Sequence, residues 1–107
     1  MFNSLRKGAR KREIPFSIVK SDISDLAEKQ EWKCARTGIS LDLNLGGPFG
    51  PSIDRIDNDR GYEPTNIQLV CKLYNYCKNQ FTDDDVMEFA EALINQSRDN
   101  EMSKRAA

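Results

Sequence analysis

The chain has 107 residues, 38% apolar and 31% charged, with a net charge of −1 and no histidine. This length fits one domain that buries about 65% of its unfolded surface, and the composition lies outside the disordered class. No apolar run approaches the roughly 20 residues of a membrane span, and the N-terminus lacks the apolar centre of a secretion signal, so a cytoplasmic protein without a membrane partner is expected.

The near-zero net charge hides a strong polarity. Residues 1–20 carry Arg6, Lys7, Arg10, Lys11, Arg12 and Lys20 against Glu13 alone, a local charge of +5, whereas residues 81–101 carry seven carboxylates against Arg98, a local charge of −6. One end of the molecule can therefore attract phosphate although the whole is slightly acidic.

Residues 3–12 read as a short basic helix or arm, weakened by Gly8. Its five cations within seven residues suit phosphate contacts, and a solvated terminus is the alternative. Pro15–Val19 reads as a brief extended segment, and Ser21 as the cap of a helix of about ten residues with Ile23, Leu26 and Ala27 on one face. Trp32 is expected on the core. Cys34–Leu43 reads as a turn with a short strand, and Asn44–Pro51, with three glycines and two prolines, as a loop. Ser52–Ile56 and Ile67–Val70 are strand candidates joined by the loop Asp57–Asn66, and Cys71–Gln80 reads as a helix. Thr82 then caps a last helix with Asp83, Asp84 and Asp85 in its first turn. Val86, Phe89, Ala90, Leu93 and Ile94 form a core-facing stripe at helical spacing, and the tail from Ser97 or Arg98 onward is expected to fray.

The chemistry concentrates in the hairpin and the helix after it. Asp54 lies on the first strand and Asn75 in the first turns of the helix, so a hairpin running into that helix brings two oxygen ligands within reach of a hard cation such as magnesium. Spacing alone also allows a surface Asp and a surface Asn. The acidic loop is not a calcium loop, because counting from Asp57 glycine falls fifth and Gln68 twelfth, where an EF-hand needs glycine sixth and glutamate twelfth.

The stretch Asp54-Arg55-Ile56, Gly61, Asn66-Ile67, Val70-Cys71, Tyr74-Asn75 and Lys78 resembles the HNH nucleases of the ββα-metal (His-Me finger) group, and in particular a variant found in small phage and bacterial HNH-like proteins. From Asn66 to Lys78 the spacing matches without a gap, and Cys34-x-x-Thr37-Gly38 resembles the knuckle that precedes the first strand in that family. The likeness covers about residues 32–80. It implies an α+β fold: a small ββα-metal core over 32–80, a basic N-terminal arm and helices over 1–31, a C-terminal helix over 82–97 and a frayed tail over 98–107, all in one domain. It also implies a metal-dependent DNA endonuclease or nickase, acting in a bacterial or phage-infected cell, alone or beside a phage or bacterial partner protein.

Under that resemblance Asp54 and Asn75 hold a divalent cation, Mg²⁺ with Mn²⁺ as its substitute. Asn66 braces the hairpin by bonding loop backbone, and Asp54, Arg55, Asn66 and Asn75 make up the catalytic set. Lys78 and Arg55 join Arg6, Lys7, Arg10, Lys11 and Arg12 as phosphate contacts. Two departures stand out. Thr37 and Tyr74 replace the second cysteine of each zinc-binding pair, so structural zinc is not expected and Cys34 and Cys71 read as small buried thiols. Arg55 stands where the family has its water-activating histidine. A guanidinium stays protonated and can clamp phosphate but cannot act as an ordinary base, which leaves Asp57 and Tyr62, then Asp59 and Glu63, as candidates to take the proton. A catalytically silent HNH-like module that binds nucleic acid or a protein partner is the alternative reading.

Overall fold

The computed structural model describes residues 1–44 and 47–106, and places four helices around one antiparallel hairpin, an α+β arrangement. Leu45 and Gly46 of the expected glycine-rich loop, and Ala107 of the expected tail, lie outside the described residues. Among the described residues no helix is long and apolar enough to cross a membrane.

The first helix, α1, spans Phe2–Lys11. Phe2, Leu5 and Ala9 fall on one face and pack on the core, with Ala9 fully buried, while Arg6, Lys7, Arg10 and Lys11 stay exposed. The helix closes where Ile14 N–H donates to the Ala9 carbonyl at 2.8 Å and Glu13 adopts a left-handed φ of 58°. The basic arm is therefore a docked element whose apolar face is held by the core. The segment after it runs beside Tyr62. Tyr62 N–H donates to the Pro15 carbonyl at 2.9 Å and Ser17 N–H to the Tyr62 carbonyl at 2.8 Å. The chains approach so closely that a Cβ on Gly61 would lie 2.5 Å from the Pro15 carbonyl oxygen. Phe2 stacks edge-on to Phe16, and Phe16 against Tyr62, at ring distances of 5.5 and 5.6 Å.

Helix α2 spans Lys20–Lys29 and buries Ile23 and Ala27. Its start differs from the sequence expectation. Ser21 lies inside the first turn, and Asp22 reaches back to accept the Val19 N–H at 2.7 Å, satisfying a donor that a helix start leaves open. After the helix, Glu31 and Trp32 both take left-handed φ values, 56° and 55°. That reversal turns the Trp32 ring outward, 41% exposed, so the expected core packing of Trp32 does not occur. The expected short strand after it reduces to one bridge between Lys33 and Ser40.

Strands β1 (Pro51–Arg55) and β2 (Ile67–Cys71) pair antiparallel with Ser52 opposite Val70 and Asp54 opposite Gln68. All five residues of β2 are buried. A two-stranded hairpin leaves the outer edge of β2 open, and buried backbone groups need partners. Gln30 supplies them: its Oε1 accepts Leu69 N–H at 3.0 Å and its Nε2 donates to the Leu69 carbonyl at 2.8 Å, a carbonyl that Ala35 N–H also reaches at 2.9 Å.

Helix α3 (Lys72–Lys78) follows β2 directly. Helix α4 spans Asp83–Ala106. Thr82 caps it: Asp85 N–H donates to Thr82 Oγ1 at 3.1 Å and Thr82 N–H to Asp85 Oδ2 at 3.0 Å. Two expectations fail along α4. It continues as helix through the segment expected to fray. Of its apolar stripe Val86 packs against the core, but Phe89, Leu93 and Ile94 are 59%, 59% and 49% exposed. A helix of this length reaches about 36 Å, and beyond its first turns it projects from a body 28 by 22 Å in cross-section, giving a long axis of 56 Å.

Candidate phosphodiester site on the hairpin and helix

Ser52 and Asp54, two residues apart on β1, both meet α3, as strand alternation requires. Asp54 is 4% exposed. Its Oδ2 accepts two hydrogen bonds, from Gln68 Nε2 at 2.8 Å across the hairpin and from Lys78 Nζ at 2.7 Å. Lys78 has no exposed surface, and its ammonium also donates to the Arg55 carbonyl at 2.7 Å. A buried charge needs both a counter-charge and hydrogen bonds, and this lysine has both. The phosphate contact expected of Lys78 is therefore sterically closed: the side chain turns inward and joins the end of α3 to the hairpin.

Asn75 donates through Nδ2 to Ser52 Oγ at 2.6 Å and toward the Ile53 carbonyl at 3.4 Å. A carbonyl only accepts, so the amide orientation is set and Oδ1 faces away from β1. Asp54, Asn75, Ser52 and Arg55 line one polar cleft of about 250 Å³, together with Arg12 just after α1, Tyr62, Tyr76 of α3 and Asn79 just after α3.

Arg55 donates through Nη1 to the carbonyls of Asn58 and Arg60, both at 2.9 Å, and its guanidinium lies 5.5 Å from the centre of the Tyr62 ring. Arg12 Nη2 donates to the Tyr62 hydroxyl at 3.3 Å. Two guanidinium groups thus flank one phenol at the cleft. Of the four candidates to take a proton, Tyr62 alone lines this cleft. Asp57 and Asp59 line a separate depression, and Glu63 pairs with Arg60.

Asn66 stands behind the site, 1% exposed. Its Oδ1 accepts the Asp57 N–H at 2.9 Å, and its Nδ2 donates to the carbonyls of Asp57 and Gly61 at 3.0 and 2.9 Å. These bonds close the loop between the strands and make Asn66 a positioning residue away from the cleft lining. Lys7 and Lys11 are exposed on α1, and Arg6 and Arg10 border a shallow depression beside Ile14 and Phe16, so only Arg12 of the basic cluster reaches the cleft.

Cys34 and Cys71 are both buried free thiols, close enough for each to perturb the other. Burial acts to raise the pKa of Cys34, but hydrogen bonds to the Thr37 side chain and to the backbone of Cys71, Arg36 and Thr37 outweigh it and lower it, whereas burial and the adjacent Cys34 raise that of Cys71. Tyr74 donates its hydroxyl to Asp83, which also lies 3.8 Å from Arg36 and 3.8 Å from Lys78. Burial, then Asp83, pushes the Tyr74 phenol well above its usual range. Among the described residues no three metal-ligating acids or thiols come together.

The donor set at the cleft suits a hard cation. One carboxylate and one amide oxygen match the sparse protein ligation of Mg²⁺, which keeps waters and takes substrate phosphate oxygens as further ligands. Sequence reasoning missed Gln68, Tyr76, Asn58 and Asn79. Gln68 was discoverable, since it sits directly opposite Asp54 once the hairpin register is set. The other three carry no spacing signal.

No family model matches the chain, and no solved structure matches it. An uncharacterized protein of Acanthamoeba polyphaga mimivirus is 29% identical over 86 residues, covering 80% of this chain. The chain spans 15% of the length of that curated relative.

Proposed function

We propose that the chain is an HNH-like nuclease that hydrolyses phosphodiester bonds in DNA, with β1, β2 and α3 as its ββα-metal unit and the cytoplasm of a bacterial or phage-infected cell as its place of action. The observation that carries this reading is the gathering of Asp54, Asn75, Arg55, Arg12 and Tyr62 around one polar cleft. Asp54 and the Oδ1 of Asn75 would hold a divalent cation, Mg²⁺ or Mn²⁺, which when bound supplies charge neutralisation at the phosphate and acidifies a water. Arg55 and Arg12 bind non-bridging phosphate oxygens and offset the charge that grows on them in the transition state. The Tyr62 hydroxyl, oriented by Arg12, holds the attacking water. Asp54 is the one carboxylate among the residues lining the cleft, and its Oδ2 is already occupied. The water proton therefore leaves to solvent through the open cleft, and turnover is slow and faster at higher pH.

A second reading, a silent module that binds DNA without cutting it, is favoured by the Lys78–Asp54 ion pair, which already neutralises the only carboxylate of the cleft. Supercoiled plasmid incubated with Mg²⁺, with Mn²⁺ and with chelator separates the two. The nuclease nicks it only with metal, and Asn75→Ala slows nicking by roughly two orders of magnitude, the size of one lost transition-state contact. Plasmid retention without nicking supports the silent binder, and absence of both sinks both readings.

A further inference from the structure

The nuclease reading does not use the most exposed part of the cleft. Tyr76 is 80% exposed, more than any other large apolar or aromatic side chain among the described residues, yet it lines the cleft that holds Asp54 and Arg55. Its hydroxyl has no hydrogen-bond partner among the described residues. This aromatic ring, left in water on a cleft that two arginines also line, has no ring or cation contact among the described residues. Asn79 lies three residues on, just past the end of α3, and also lines the cleft. Its backbone has φ 43° and ψ −114°, a conformation that side-chain-bearing residues rarely adopt. Such a conformation persists only where the surrounding structure holds it. The Asn79 backbone N–H donates to the Asn75 carbonyl at 2.9 Å, and its side-chain amide has no hydrogen-bond partner among the described residues, so the side-chain donors and acceptor are available. Asn58, which also lines the cleft, is by contrast tied by its Nδ2 to the Phe81 carbonyl at 3.1 Å.

We infer that Tyr76 and Asn79 form a receptor for one unpaired nucleobase beside the phosphate held by Arg12 and Arg55, so that the preferred substrate is single-stranded DNA or a strand with an unpaired nucleotide at the cleft. The inference rests on the phosphodiester reading of the same cleft. Tyr76 offers its π-face, which any base can stack on. Asn79 offers a donor and an acceptor to the Watson–Crick edge, which only an unpaired base leaves open. A paired base inside a duplex presents neither its face nor that edge, so the two side chains gain nothing from duplex DNA.

The test is binding of a fluorescent single strand and of the duplex of the same sequence, in chelator so that neither is cut. Wild type is expected to hold the single strand several-fold more tightly than the duplex. Tyr76→Ala should lose roughly 5- to 150-fold on the single strand, the worth of one base–aromatic stack, with the duplex unaffected. Tyr76→Phe and Tyr76→Trp should retain the preference. Arg55→Ala should weaken both forms. If Tyr76→Ala binds the single strand as wild type does while Arg55→Ala weakens it, the base receptor is wrong and the phosphate cleft stands. If wild type binds neither form of DNA, the inference falls together with the reading beneath it. Tyr76 is almost wholly in solvent, so its replacement leaves the fold intact, and a circular dichroism melt checks this.

Discussion

The ammonium of Lys78 lies 2.7 Å from Oδ2 of Asp54, across 24 residues of sequence, with neither side chain more than 4% exposed. This pair joins the last turn of α3 to β1 and so sets the geometry of the cleft. Lys78→Met should leave Asp54 buried without a counter-charge and cost about 3–5 kcal/mol, read from urea unfolding. Asp54→Asn in the same chain should recover part of the loss, because no charge is then left unpaired. Equal stability of Lys78→Met and wild type would mean that the pair does not hold the hairpin to α3.

Arg55 serves the loop and the cleft at once. Arg55→Ala removes two hydrogen bonds to loop carbonyls and should cost about 1–3 kcal/mol. It should also lower the slope of DNA affinity against salt by about one, as expected for one lost phosphate contact. Arg55→His should cleave faster than wild type, since imidazole titrates near neutral pH and can take the water proton. A slope unchanged in Arg55→Ala would remove Arg55 from the phosphate site.

The basic face of α1 is best tested without deleting the helix, because Ala9 is part of the core. Lys7→Gln with Lys11→Gln should reduce the salt slope by about two and leave unfolding within about 0.5 kcal/mol of wild type. An unaltered slope would make these two lysines a solvated face.

Tyr74 links stability to alkaline pH. Its folded pKa is raised above the ordinary value of 10.0, by burial first and then by Asp83, so the folded state holds the phenolic proton more tightly than the unfolded chain. That stabilisation is complete below about pH 10 and is lost as pH rises toward the folded pKa. The stability gap between wild type and Tyr74→Phe should therefore narrow between about pH 8 and about pH 11. A gap constant over that range would show that Tyr74 is not held protonated by its surroundings.

The apolar residues of α4 beyond its first turns should be energetically quiet in the isolated chain. Leu93→Asn and Phe89→Ser should each change stability by less than about 0.5 kcal/mol, against several for a core leucine or phenylalanine. A loss above about 2 kcal/mol in equilibrium unfolding would show that Phe89 and Leu93 are covered in the folded chain rather than exposed.

Local chemistry made much of this protein legible in its sequence. Thr82 caps α4 because its hydroxyl and the Asp85 carboxylate lie within one turn of the groups they satisfy. The hairpin and α3 follow from short apolar runs and the loop between them, and the shared cleft of Asp54 and Asn75 follows from a strand turning back and entering a helix. Tertiary structure decided the rest, because each remaining question concerned a partner far along the chain. A lysine at the end of a helix is ordinarily solvated, and only the approach of Asp54 and the Arg55 carbonyl buries Lys78. The stripe from Val86 to Ile94 has the periodicity of a core-facing helix, but periodicity records that a face is apolar and not whether anything covers it. In this fold the body ends near Val86, and α4 continues past it. Trp32 shows the same division, its size favouring burial while two successive left-handed residues turn it to the surface.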